Sequence, residues 1–111
     1  MNIFKDGSML ELCVLAICNN EDIYGYLLTK RLQTEIKVSI STLYPILRRL
    51  TSKGLLTSYE KEFEGRKRKY YKITNKGKSK LANYTKLWEI NKQKIDLLLY
   101  GRVKDEQAGI H

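Results

Sequence analysis

Arg66, Lys67, Arg68 and Lys69 follow Gly65 without a break, and this is the densest run of reactive side chains in the sequence. Guanidinium and ammonium groups at that spacing hold phosphate oxygens, so the chemistry on offer is the binding of a polyanion. Residues 61–80 carry nine cations against Glu62 and Glu64, a net +7 out of +9 for the whole 111-residue chain. A second set lies upstream: Ser41, Thr42, Tyr44, Arg48 and Arg49. Hydroxyls and guanidiniums of this kind read base edges or clamp phosphates. Other chemistries lack their parts. His111 is the only histidine, so neither Cys13 nor Cys18 has a base to activate it, and no paired carboxylates or phosphate-cradling loop appear. An enzyme is therefore not expected. Neither is a metal site, because no CxxC or Cys/His ligand spacing occurs. No cofactor is implied.

Charge alone also fits a solvated basic surface, so the elements that carry it decide. Residues 9–18 are apolar nearly all round except for Glu11, the pattern of a buried helix, with Ser8 as its cap. Cys13 and Cys18 sit there five apart, as reduced thiols packed in a cytoplasmic protein; redox sensing is the alternative. Residues 24–35 make a second helix around Leu27, Leu28 and Leu32, and residues 36–38 an extended linker. In the third helix, residues 41–53, Leu43, Ile46, Leu47 and Leu50 form one buried stripe. Ser41, Thr42, Tyr44, Arg48 and Arg49 then fall on the open side. For Tyr44 the plainer alternative is packing on the second helix, and for Arg49 a surface salt bridge. Pro45 places the helix start at residues 39–41, with Ser39 or Ser41 as its cap, and Gly54 stops it.

Residues 55–62 and 68–74 alternate as two strands around a turn at 63–67, which puts the cations at the tip of a hairpin. One of Tyr70 and Tyr71 faces the core; the other is free to meet DNA. A last helix spans residues 75–100 with Thr74 as its cap. Leu81, Tyr84, Trp88, Asn91, Ile95 and Leu98 make a coiled-coil seam along it, which implies a homodimer. Trp88 packs that joint or, with Tyr84 and Asn91 a turn to either side, forms a platform for a planar aromatic small molecule. Residues 101–111 are expected to be a disordered tail. No apolar run is long enough to span a membrane and no signal peptide is visible.

The fold class expected is mainly α with a small β-hairpin: a winged helix-turn-helix DNA-binding domain over residues 1–74, then a long C-terminal dimerisation helix over 75–100. The partner is double-stranded DNA, read as a pseudo-palindrome with half-sites about 34 Å apart. The alternative partner is RNA or an acidic protein.

Three blocks point to a known family. They are Tyr24-Gly25-Tyr26; Thr42-Leu43-Tyr44-Pro45 with Leu47, Arg48, Arg49 and Leu50; and Gly65-Arg66 with Arg68-Lys69-Tyr70-Tyr71, Ile73 and Thr74. In these the chain resembles the PadR-family transcriptional regulators over about residues 8–100. The resemblance implies a dimeric repressor on inverted-repeat operators. Its recognition helix then falls on Ser41, Thr42, Tyr44 and Arg48, and its wing on Arg66 to Lys69. The single C-terminal helix resembles the short subfamily with multidrug-responsive repressors, where a tryptophan matching Trp88 stacks planar drugs at the dimer interface. Lys92, one turn past Trp88, departs from that pattern; Glu89 and Asp96 partly offset its charge.

Overall fold

The computed structural model describes residues 7–101. Its elements run α1 (Ser8–Asn20), β1 (Ile23–Tyr24), α2 (Gly25–Glu35), α3 (Ile40–Ser52), β2 (Leu56–Phe63), β3 (Arg66–Ile73) and α4 (Asn75–Tyr100). The expected tail lies outside the described residues apart from Gly101. One apolar core joins all the layers. Val14, Leu15 and Cys18 of α1, Leu28 and Leu32 of α2 and the α3 stripe meet Ile23, Leu56, Tyr71 and Ile73 of the sheet.

Local chemistry sets most of the boundaries. Ser39 caps α3, its hydroxyl accepting from the Thr42 amide at 3.2 Å. Thr74 caps α4 in the same way, accepting from the Gly77 amide at 3.0 Å. The Thr74 hydroxyl also donates to the Gly54 carbonyl at 2.6 Å, which ties the start of α4 to the end of α3. Gly77 lets the two approach: a Cβ there would lie 2.1 Å from the Leu55 carbonyl oxygen. At α1 the expectation fails. Gly7, in the left-handed region, precedes the helix, and Ser8 is a buried first-turn residue, not the cap. Pro45 lies in the second turn of α3, as the expected start at residues 39–41 places it. Its ring leaves the Ser41 carbonyl without a helical donor, on an exposed stretch where water can supply one.

The sheet order is β1-β3-β2, all antiparallel. The two-residue β1 was not expected; it pairs Ile23 with Tyr71 and Tyr24 with Tyr70. The hairpin turn is tighter than residues 63–67. Glu64 (φ 53°) and Gly65 (φ 77°) alone make it, and two left-handed residues in a row match the twist of a two-residue hairpin. Arg66 and Lys67 therefore belong to β3, and the cations run along a strand instead of around a loop.

Candidate nucleic-acid interface

Strand pairing sorts the cations by face. Side chains alternate along a strand, so Lys67 and Lys69 share the face of the buried Tyr71 and Ile73, and Arg66, Arg68 and Tyr70 share the other. The first face continues toward α3. A groove of about 260 Å³ opens there, walled by Tyr26 of α2, Tyr44 of α3 and Lys67, Lys69 and Tyr71 of the wing; Tyr24, Gly25 and Arg68 complete its lining. Tyr44 is 46 % exposed, so its ring is not part of the buried core, and it faces Tyr26 of α2 across the groove. Arg48 is exposed one turn further along α3. Ser41 and Thr42 lie exposed at the helix start, their hydroxyls 2.9 and 3.0 Å from the Ser39 hydroxyl. Among the described residues the ion pairs are Arg31–Glu21 and Arg49–Glu11, so no wing cation is neutralised at short range.

Tyr26 was missed from sequence. It is 60 % exposed at the mouth of the groove, with the Lys30 ammonium 5.7 Å from its ring centroid. The available signal was a tyrosine and a lysine four apart on one face of the helix before the recognition helix.

Two expected contact residues, Arg49 and Tyr70, are placed elsewhere, and Arg68 borders the groove while its guanidinium turns to the other face of the wing. Arg49 turns inward: its Nε and Nη2 lie 2.8 and 2.7 Å from the Glu11 carboxylate on α1. Glu11 is buried and needs a counter-charge, and the half-exposed Arg49 supplies it. Tyr70 stacks on Tyr59 at 5.6 Å and meets Tyr24 edge-on, on the face turned away from Tyr71. Arg68 sits with its guanidinium 4.6 Å from the Tyr24 ring centroid and 5.7 Å from that of Phe63.

The expected small-molecule platform also changes. Tyr84 is 2 % exposed and donates a 2.5 Å hydrogen bond to Glu11, so its side chain is part of the core. Asn91 donates to the Leu87 carbonyl of its own helix at 2.8 Å. Trp88 instead shares a cavity of about 410 Å³ with Met9 from α1 and Lys92, Ile95 and Asp96 from α4. Cys18 is buried, and burial with the nearby Asp22 carboxylate pushes its thiol up to about 12; burial also raises Cys13. Burial thus favours the protonated thiol at both positions. No cluster of metal-ligating residues occurs among the described residues, and no helix there is long and apolar enough to cross a membrane.

A tri-helical body whose third helix lies beside a two-stranded cationic ribbon is a winged helix-turn-helix. Comparison with known proteins narrows this. Residues 14–83 match the transcriptional regulator PadR-like family. The chain is similar to the transcriptional regulator Rv3488 of Mycobacterium tuberculosis, 36 % identical over 66 % of this chain and 69 % of that one. Among solved structures it is similar to a PadR-like transcriptional regulator of Bacillus cereus: 34 % identity, TM-score 0.80, 86 % of this chain and 96 % of that one. It is likewise similar to smu.1704 of Streptococcus mutans: 38 % identity, TM-score 0.82, 88 % and 92 % covered. The chain belongs to the PadR-like family of transcriptional regulators, and so is a regulator and not an enzyme.

Proposed function

We propose that the protein is a homodimeric transcriptional repressor that binds a pseudo-palindromic operator in the cytoplasm. The observation that carries this is the groove in which Tyr44, on the recognition helix, faces Lys67 and Lys69 on the wing. Ser41, Thr42, Tyr44 and Arg48 offer hydrogen bonds to base edges, while Lys67, Lys69 and the tip residue Arg66 supply charge for the flanking phosphates. Residues 7–74 thus bind DNA, and α4 joins two copies. Ile95, Leu97, Leu98 and Leu99 are all exposed along its distal half, a surface that a second copy of the same helix would cover. The Trp88 cavity lies beside that surface and suits a planar aromatic effector. Lys92 and Asp96 at its edge favour one with both donor and acceptor groups over a simple cation.

Fluorescence anisotropy with labelled duplex from the protein's own promoter region, and with a scrambled duplex, at two salt concentrations, tests the reading. Promoter-selective binding that weakens with salt is the expected result. Weak binding, equal for both duplexes and erased by salt, would redirect the basic face to RNA or an acidic protein.

A further inference from the structure

The outer half of the wing has no core beneath it. From Lys61 to Arg68 only β2 and β3 are present, since β1 ends at the level of Tyr70. A two-stranded ribbon alone holds its shape poorly in water. What fastens it to the body is a group of side chains on the face turned away from Tyr71. Tyr24, at the junction of β1 and α2, lies 6.1 Å from Phe63, the last residue of β2 before the turn. The Arg68 guanidinium lies against both rings. Its Nε is shut off from solvent and has no hydrogen-bond acceptor. A guanidinium that gives up a hydrogen bond to lie on aromatic faces is held by ring quadrupoles and planar stacking, which an ammonium does not reproduce.

We propose that Arg68 is a positioning residue: by bridging Tyr24 and Phe63 it sets the angle of the wing, while Lys67 and Lys69 on the opposite face meet the DNA. The four-cation run is then two functional sets interleaved by strand parity. This rests on the DNA-binding reading above, and the test separates the two. Salt dependence distinguishes a phosphate-binding cation from a positioning residue, because removing a cation that neutralises one phosphate reduces the slope of log K against log salt by about 0.9. Titrations use the full chain and labelled promoter duplex. Lys67→Ala should lower the slope by about 0.9. Arg68→Met should weaken binding roughly thirtyfold at constant slope, the scale of one desolvated cation–π interaction. Arg68→Lys should fail to restore affinity. Phe63→Ala, which removes no charge, should resemble Arg68→Met, and the double variant should be little worse than either alone. A slope change in Arg68→Met equal to that of Lys67→Ala, or full rescue by lysine, overturns the proposal. If the wild-type chain shows no salt-dependent duplex binding, it is the DNA reading that fails. Hydrogen exchange of the amides at residues 61–69 then decides the bridge: faster exchange in Arg68→Met upholds it, and unchanged exchange overturns it.

Discussion

Single residues in this protein divide by what faces them. Tyr44 reaches into the open groove beside two lysines, so Tyr44→Ala should lose about tenfold in affinity for the operator and much less for random duplex. Competition titrations measure the ratio, and equal losses would give Tyr44 a backbone role. Cys18 faces inward, and its effect is on stability. Its thiol ordinarily titrates at 9.0 and is held up to about 12 in the folded chain. Below pH 9 both states keep the proton; above it the unfolded chain releases its proton first. Stability from this group is therefore whole below pH 9 and is lost as pH rises toward 12. Thermal melts of wild type and Cys18→Ala across that window should converge with rising pH; a constant gap assigns the alkaline loss elsewhere. Much of this was legible in the residues. The alternation of Lys69, Tyr71 and Ile73 already separated Lys69 from Arg68 and Tyr70, while Lys67 was expected in the turn and joins that face only because β3 starts at Arg66. Glu11, the one charge in an apolar helix, already demanded a buried partner. That the partners are Arg49 and Tyr84 was not legible, because they lie 38 and 73 residues away and only packing brings them together.

At the level of elements, capping and periodicity gave the starts of α3 and α4, and tertiary packing gave the rest. Thr74 caps the helix it was expected to cap, and of the two serines expected for α3 it is Ser39 that does, because capping uses atoms three residues apart. Two-residue β1 is too short to show a period, and it exists because Tyr71 and Tyr70 of β3 offer it a partner. Likewise, the first half of α4 reads as a free seam but docks on the body. Gly77→Ala should therefore cost about 2–3 kcal/mol, since its methyl would collide with the Leu55 carbonyl and backbone gives way poorly. Urea unfolding measures this. Glu11 links three elements: α1 carries it, α3 reaches it through Arg49 and α4 through Tyr84. Glu11→Ala leaves a phenol and a half-exposed guanidinium without their acceptor and should destabilise by about 2 kcal/mol. Glu11→Leu with Arg49→Met and Tyr84→Phe in one chain should recover most of that loss. No recovery would mean that the carboxylate has a role beyond pairing.

The whole molecule is far from spherical. Its radius of gyration is 17.1 Å, where a compact chain of this length has about 13 Å, and its extents are 64 × 27 × 22 Å. The distal turns of α4 hold apolar side chains in solvent, Leu98 79 % and Leu99 67 % exposed. A lone molecule gains nothing by holding such a surface in water. Leu98→Glu should thus shift the sedimentation profile from dimer to monomer and weaken operator binding far more than binding to a half-site. An unchanged profile would place the joint elsewhere. Two recognition helices held by one rigid pair of rods would also tolerate little variation in half-site spacing.

Trp88 is the one tryptophan of the sequence, and it stands between Met9 and the distal turns of α4. The protein thus carries a single intrinsic chromophore at the place where a second subunit and a small molecule would both arrive. Its emission, excited apart from the eight tyrosines, can follow assembly and occupancy in one unlabelled sample. Dilution would report the first event as a concentration-dependent red shift, and a stacking ligand the second as quenching. The two signals separate because only the first depends on protein concentration alone.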